Sequence, residues 1–351
     1  MDIFDICKLL GGLALFLYGM NVMSSGLEKM AGGKLEQILR KMTSNRLKAF
    51  LLGLVITMII QSSSATTVML VGLVNSGIMQ LGQTIGVIMG TNIGTTVTAW
   101  ILSLVEIDSG GNILLELFKP DTLATIVAFI GILLIMFAKK DKKRDAGSIC
   151  IGFAILMFGM DFMSDAVSGL KDIPEFQQAL TAFNNPILGV VVGALFTALL
   201  QSSSASVGIL QALSLTGGIT YSMAIPIIMG QNIGTCITAL ISSVGANKNA
   251  KKVAYVHIYF NIIGTLIWLT LFYVLHGIFD FAFVSTFVSP ADIAICHSIF
   301  NIATTILLFP FTKQLEWLAL STGNKKGQAG KGKISRRAPA QLPCFCGSGV
   351  P

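Results

Sequence analysis

Gln61-Ser62-Ser63-Ser64-Ala65 recurs 140 residues later as Gln201-Ser202-Ser203-Ser204-Ala205. At the same offset, Gly90-Thr91-Asn92-Ile93-Gly94-Thr95 recurs as Gly230-Gln231-Asn232-Ile233-Gly234-Thr235. Residues 57–99 align with 197–239 without a gap, and 19 of the 43 positions are identical. The offset also pairs Tyr18-Gly19-Met20 with Phe158-Gly159-Met160, Met23-Ser24 with Met163-Ser164, and Gly53 with Gly193. Compositional bias can make leucines coincide, but it does not set two polar motifs at one common spacing. A period this long describes two halves of one fold and not a solenoid.

The setting of these polar motifs is apolar. Of 351 residues, 53% are hydrophobic and 12% charged, about half the charge of an ordinary soluble domain. So little charge cannot cover a soluble surface, and the chain belongs to the membrane class. Its net charge of +7 collects in short loops between apolar runs, the pattern of cytoplasmic loops and not of a nucleic-acid surface. Cys7, Cys150, Cys236 and Cys296 stand singly, with no metal or disulfide spacing. The first apolar run lacks the basic start of a signal peptide, since Asp2 and Asp5 accompany Lys8, and it has a repeat partner. It reads as a retained span.

Loop charge orients the two halves. Residues 28–48 hold Lys29, Lys34, Arg40, Lys41, Arg46 and Lys48, whereas the counterpart 168–188 holds Lys171 with Asp172 and Glu175. After the first repeat come Glu106, Asp108, Glu116 and Asp121 against Lys119. Its counterpart carries Lys248, Lys251 and Lys252. Equivalent loops have opposite basic bias, so by the positive-inside rule they face opposite sides. Spans 4–24, 121–138, 148–168, 252–276 and 287–311 then put every strongly basic loop on one side.

Segment 47–75 is too long for one straight span. Its 29 residues would run about 43 Å as a helix, against a hydrocarbon core of about 30 Å. With serines at its centre it reads as a re-entrant hairpin, repeated at 187–217; a single bent crossing is the alternative. Spans 82–106 and 222–246 read as broken, with Gly90 ending one half-helix and Asn92 capping the next. The expected fold is an all-α membrane protein of two inverted repeats, each with a re-entrant helical hairpin and a broken transmembrane helix. Its parts are a first repeat 1–106, a connecting span and basic loop 107–147, a second repeat 148–246, further spans 247–315, and a basic tail 316–351 whose end, 324–351, reads as disordered.

Helix breaks would bring N-termini near 62–65, 92–95, 202–205 and 232–235 to the midplane. Helix N-termini bind anions, while carbonyls and hydroxyls suit bare sodium ions. The motifs contain no Lys or Arg, so an anion here relies on hydroxyls, amides and co-bound cations. Close helix packing is the other reading of such small polar residues. Nucleophilic serine chemistry is disfavoured, because no G-x-S-x-G occurs and no His or Lys lies near either tip in sequence. Asp161, whose repeat position is Asn21, is a candidate ion or gating residue within a span. His257, Asn261, His297 and Asn301 read as packing residues, and Trp100, Trp268 and Trp317 as interface or packing residues.

Two Gln-Ser-Ser-Ser motifs, each followed by Gly-x-Asn-Ile-Gly-Thr, resemble the type II sodium/phosphate cotransporter family in its bacterial branch, over about 1–315. The resemblance implies a multi-pass transporter in the cell membrane and not an enzyme, with phosphate as substrate, sodium as coupling ion and no other cofactor. It implies a site at Gln61, Ser62, Ser63 and Ser64 with Gln201, Ser202, Ser203 and Ser204. The helix-break argument adds Thr91, Asn92, Thr95, Asn232 and Thr235. Many bacterial relatives continue into a helical regulatory domain; the expectation here is a disordered tail instead. A carrier of another oxyanion or a carboxylate, an anion channel, and a membrane scaffold are the rival readings. Oligomeric state is not legible.

Overall fold

A computed structural model describes residues 3–31, 38–39, 45–106, 120–167 and 184–322. The expected tail 324–351, the acidic stretch around Glu116, and Lys34, Arg40, Lys41, Lys171, Asp172 and Glu175 lie outside them. The described residues are helical, with one isolated bridge between Thr220 and Phe287. The helices are α1 (Ile3–Ala31), α2 (Arg46–Ile60), α3 (Ser63–Asn75), α4 (Leu81–Leu102), α5 (Pro120–Phe137) and α6 (Asp141–Val167). They continue with α7 (Pro186–Leu200), α8 (Ser203–Ser214), α9 (Tyr221–Gly234), α10 (Cys236–Ser242), α11 (Lys248–Phe279), α12 (Pro290–Leu308) and α13 (Thr312–Ser321). Among the described residues, six helical stretches are long and apolar enough to cross a membrane, and Ser63–Asn75, Thr122–Phe137 and Pro186–Leu200 are shorter apolar helices. The chain is a multi-pass membrane protein.

Glycines set how the helices meet. Gly12, Gly19 and Gly26 repeat every seven residues along α1. A Cβ on Gly19 would stand 2.6 Å from the Gly152 carbonyl oxygen, and one on Gly12 would stand 2.9 Å from that of Gly159. A Cβ on Gly159 would meet Phe16 N at 2.3 Å. Numbers rise on α1 as they fall on α6, so the pair is antiparallel, with backbones in close approach as small residues permit. Gly12 and Gly152, and Gly19 and Gly159, are counterparts at the repeat offset. Each therefore packs on the counterpart of its neighbour in the seam.

The α2–α4 pair obeys the same logic in the opposite sense. Gly86, Gly90 and Gly94 lie on one face of α4, four residues apart. Their added Cβ atoms would stand 2.8 Å from Arg46 O, 2.0 Å from Phe50 O and 2.8 Å from Leu54 O. Here numbers rise together, so α2 and α4 are parallel neighbours. The second half repeats this between α7 and α9, where Gly193 would meet Ile227 O at 2.2 Å, Gly230 would meet Val190 O at 2.1 Å and Gly234 would meet Ala194 O at 2.4 Å.

The expected break near Gly90 is corrected by this packing. Helix α4 runs unbroken from Leu81 to Leu102. Gly90 is there to let α2 approach, and Asn92 caps nothing: its Nδ2 donates to the Ile88 carbonyl at 2.8 Å. Thr91 Oγ1 donates to Val87 O at 2.8 Å and Thr95 Oγ1 to Thr91 O at 2.9 Å. Polar side chains that bond back to their own helix need no break to be satisfied. In the second half α9 passes into α10 at Thr235, whose φ of −57° and ψ of −28° are helical. Asn232 Nδ2 again bonds Ile228 O, at 2.8 Å, and Thr235 Oγ1 bonds Gln231 O, at 2.9 Å. Of the four expected half-helix N-termini, those at Ser62 and Ser202 are capped by their serines, α10 starts at Cys236 without a side-chain cap, and none lies near Asn92.

Helix α11 serves as a ruler for these halves. At its start, the Asn247 backbone N–H and Nδ2 both donate to Asn75, the last residue of α3, at 2.8 Å. Near its far end, Tyr273 Oη donates to the Ser222 carbonyl at 3.3 Å, and Ser222 Oγ bonds Asn184 beside the start of α7 at 3.0 Å. Twenty-six helical residues separate Asn247 from Tyr273, about 39 Å. The Asn247 end carries Lys248, Lys251 and Lys252.

Candidate functional site

Each Gln-Ser-Ser-Ser motif makes the same turn. Helix α2 stops at Gln61, which takes the left-handed conformation (φ 58°, ψ 24°) and donates its N–H to Thr57 O at 2.8 Å. Ser62 is extended, and its Oγ accepts the Ala65 N–H at 3.1 Å as the N-cap of α3. Gln201 (φ 55°, ψ 21°) and Ser202 do the same for α8, with Ala205 N 3.2 Å from Ser202 Oγ. The expected serine caps are therefore Ser62 and Ser202. The amides of Ser63 and Ser64, and of Ser203 and Ser204, precede the first intrahelical bonds, Thr66 N to Ser62 O and Ser206 N to Ser202 O. A glutamine held at positive φ costs about 1–3 kcal/mol. Glycine would avoid that cost, so the glutamine side chain is there for something else.

The two turns meet. Ser64 Oγ donates to the Gln201 carbonyl at 3.4 Å, and Thr238 Oγ1 donates to Ser64 Oγ at 3.3 Å. Between them lies a cavity of about 460 Å³, lined by Gln61 to Ser64, Gln201 to Ser204, and Leu17, Met20, Asn21, Ser24, Ser25 and Glu28 of α1, with Leu200. That is the liquid volume of about fifteen waters. All eight residues expected from the duplicated serine motifs line it.

The other expected residues do not. Thr91, Asn92, Thr95, Asn232 and Thr235 are buried and bonded within their own helices, away from the cavity wall. The α4 residue that does reach the turn is Thr98, whose Oγ1 donates to Gln61 Oε1 at 2.8 Å. Its counterpart Thr238 reaches Ser64 instead. The halves thus differ: Gln61 is buried against Thr98 and also donates to Met58 O, whereas Gln201 is exposed. Asp161 is half-buried on α6 and is not part of the lining, whereas its counterpart Asn21 is. His257 and His297 are buried, and each has its carbonyl bonded by Asn Nδ2 four residues on, from Asn261 and Asn301 at 3.0 and 2.9 Å.

Asn21, Ser24, Ser25 and Glu28 were missed in the sequence. They fall at i, i+3, i+4 and i+7, one face of a helix, so a polar stripe in an apolar span was the available signal. Among the described residues that line the cavity, none is cationic and Glu28 is the one carboxylate. Positive potential comes from the N-termini of α3 and α8, each equivalent to roughly half a charge. Together with the hydroxyls, this can hold an oxyanion in company with small hard cations.

The glutamine geometry makes a prediction. Gln201→Gly removes an exposed side chain and relieves the positive φ. The thermal midpoint of the purified protein should hold or rise, while any transport that needs the amide falls severalfold. Unchanged transport would show that Gln201 is merely a turn residue.

Comparison with known proteins identifies the family of the chain. The family described as Na+/Pi-cotransporter matches residues 15–165 and 169–287. An uncharacterized Bacillus subtilis protein, YqeW, is 31% identical over 299 residues, covering 85% of this chain and 91% of that protein. A putative inorganic phosphate export protein of Escherichia coli, YjbB, is 24% identical over 308 residues, covering 87% of this chain and 53% of that protein. The sodium-dependent phosphate transport protein 2A of Rattus norvegicus is 38% identical over 101 residues, covering 28% of this chain and 16% of that one. The chain thus spans nine-tenths of the Bacillus relative and about half of the phosphate-export relative. No solved structure gives a significant match. With the match running through both Gln-Ser-Ser-Ser turns and the helices that hold them, the chain belongs to the Na+/Pi-cotransporter family.

Proposed function

We propose that the chain is a sodium-coupled carrier of inorganic phosphate, working by alternating access around the two Gln-Ser-Ser-Ser turns. The observation that carries this is the meeting of two repeat-equivalent turns in one polar cavity. Phosphate binds through the serine hydroxyls and the free amides of α3 and α8. Sodium ions sit beside it on serine, glutamine and carbonyl oxygens and supply positive charge that the described lining residues do not carry.

The hairpin reading is supported by the parallel packing of α2 and α4. The chain leaves the Gln61 end of α2 and re-enters at the opposite end to begin α4, so α3 has to run back. Thr57 Oγ1 and Thr66 Oγ1, nine residues apart, are 3.4 Å from one another, where a straight helix would separate them by about 13 Å. The inverted reading is supported by α1 and α6, which are repeat counterparts yet antiparallel. It is supported too by the hairpin bases at opposite ends of α11. By the positive-inside rule the Asn247 end is cytoplasmic. The cavity draws on the α1 residues nearest Ala31, which open it toward that side.

Charge argues for coupling. Bringing divalent phosphate into a cell at −100 mV opposes about 4.6 kcal/mol, at 2.3 kcal/mol per charge. Two sodium ions cancel this, and a third makes uptake electrogenic. An inward sodium gradient drives import. The export relatives favour a second reading, in which the same site runs outward, and the inward-facing cavity suits that direction equally.

Purified protein in liposomes decides the matter. Labelled phosphate should enter with an inward sodium gradient and not with a matched potassium gradient. Competition by arsenate but not by sulfate or succinate identifies the substrate class. Flux without any cation requirement would mean a channel. No flux in either gradient from folded protein would overturn the phosphate–sodium assignment.

A further inference from the structure

Helices α11 and α12 share a shorter duplication of their own. His257-Ile258-Tyr259-Phe260-Asn261-Ile262-Ile263-Gly264-Thr265 recurs 40 residues later as His297-Ser298-Ile299-Phe300-Asn301-Ile302-Ala303-Thr304-Thr305, with five of nine positions identical. Only the link 280–289 separates the two helices, and they touch at counterparts: a Cβ on Gly264 would stand 2.9 Å from Thr304 Oγ1. Contact deep in both helices after so short a link makes the pair antiparallel, so the copies are inverted about this point. Gly264 is midway along Lys248–Phe279. His257 lies seven residues from the contact toward the Asn247 end, and His297 seven residues toward the other end. The rings are thus about 21 Å apart along the helices, in a hydrocarbon core of about 30 Å. His257, Asn261, Thr304, Asn301 and His297 are each at most 1% exposed. Among the described residues, no hydrogen-bond partner meets either nitrogen of either ring, either Asn Oδ1 or Thr304 Oγ1. Buried polar groups are nearly always paired, and here the exceptions form one file through two inverted copies. These five are not among the residues that line the Gln-Ser-Ser-Ser cavity.

We infer that α11 and α12 carry protons across the membrane by a relay of their own, His257–Asn261–Thr304–Asn301–His297, apart from the cavity of the two serine turns. Imidazole suits this task, because it takes a proton on one nitrogen and gives one up from the other. Histidine and asparagine are one turn apart on each helix, with about 5–6 Å between their Cβ atoms. That is the span of one bridging water, which the free Asn Oδ1 holds while the water passes the proton. Asn261 is three residues from Gly264 and Asn301 three from Thr304, each on the face where the helices touch. Thr304 Oγ1 links the halves by accepting a proton on a lone pair and releasing its own hydrogen. At the contact the link is a hydroxyl packed on a glycine and not a pore, so protons pass and sodium does not. One proton enters at the first ring for each that leaves the last, and no oxidant or reductant takes part. A charged ring in the apolar core is costly, so the flux is slow and follows the membrane potential.

The test contains neither sodium nor phosphate and so stands apart from the proposed function. Liposomes carrying the purified full chain are loaded with a pH-sensitive dye and given an inside-negative potassium diffusion potential with valinomycin. Their interior should acidify severalfold faster than that of protein-free liposomes. His257→Phe and His297→Phe should each return the rate to the protein-free level, because the relay runs in series. Thr304→Val, which keeps the volume and removes the hydroxyl, should do the same and leave the thermal midpoint in place. Acidification no faster than without protein overturns the relay, and so does a parental rate in any of the three variants. Where a phenylalanine variant does not elute as a folded protein, Thr304→Val and Asn301→Leu decide by the same reading. A fall in the midpoint of Thr304→Val alongside the lost flux would make Thr304 a packing residue and overturn its place in the relay. A parent that moves no phosphate would leave every one of these readings unchanged.

Discussion

Tryptophan at position 203, or at position 63, should bring sodium-driven phosphate uptake down to the level of empty liposomes. Ser203 and Ser63 are the first residues of α8 and α3, and both line the cavity although they are only 4% and 7% exposed. An indole there fills the cavity and covers the amides at the helix start. The fold should survive, because the caps are made by the neighbours Ser202 and Ser62. Monodisperse elution and a thermal midpoint within a few degrees of the parent check that point. The milder Ser203→Ala removes one hydroxyl, a hydrogen bond of about 0.5–1.5 kcal/mol, and so costs about two- to tenfold in half-saturating phosphate or sodium. The pseudo-symmetry makes a sharper demand: either tryptophan alone suffices, since the two turns share one cavity. Full uptake by a folded Ser203→Trp protein would remove these serines from the binding site.

The serine turns were legible because their signal is local. A glutamine followed by a capping serine at the centre of an overlong apolar segment already implies a helix stop and a helix start, and the duplication says it happens twice. The Gly-x-Asn-Ile-Gly-Thr motifs misled for a physical reason. Glycine ends helices in water, but between membrane helices it also lets backbones touch. One sequence cannot tell whether Gly90 faces a turn or the carbonyl of Phe50. The spacing of Gly86, Gly90 and Gly94 by fours is the clue that favours a face. Likewise Asn92 reads as a cap only if its own helix leaves it unpaired, and here Ile88 O satisfies it. The α1 stripe is hidden in the duplication, because Asn21 and Ser24 match repeat partners at the offset while their shared face emerges only from the helical spacing of Asn21, Ser24, Ser25 and Glu28. Thr98 is not legible because a threonine that reaches across to another helix looks, in sequence, like one that bonds back to its own; Thr238 does both, to Ser64 Oγ at 3.3 Å and to Thr235 O at 2.9 Å.

The glycine face yields the second large effect. Gly90→Ala should destabilise the protein and depress its yield, because the new methyl would stand 2.0 Å from Phe50 O and 2.6 Å from Leu54 N. Both are backbone atoms of α2 and cannot rotate away, so α2 and α4 have to separate by more than an ångström for ordinary contact. Overpacking of this kind costs about 1–3 kcal/mol or more, against a helix-propensity gain of about 1 kcal/mol for alanine over glycine. Gly230→Ala should behave alike, with Val190 O at 2.1 Å. Gly72→Ala is the control: it lies on helix α3, nothing stands within 4 Å of its added Cβ, and only the propensity gain remains. Thermal unfolding of the detergent-purified variants should therefore move in opposite directions, downward for positions 90 and 230 and level or upward for 72. The consequence reaches the site, because Thr98 on α4 holds Gln61 at the end of α2 through one 2.8 Å hydrogen bond. Parting the two helices lengthens that bond, so any Gly90→Ala protein that still folds should lose apparent affinity for its ions as well. If Gly90→Ala is as stable and as active as Gly72→Ala, the close approach of α2 and α4 is wrong, and with it the account of why Gly90 does not end a helix.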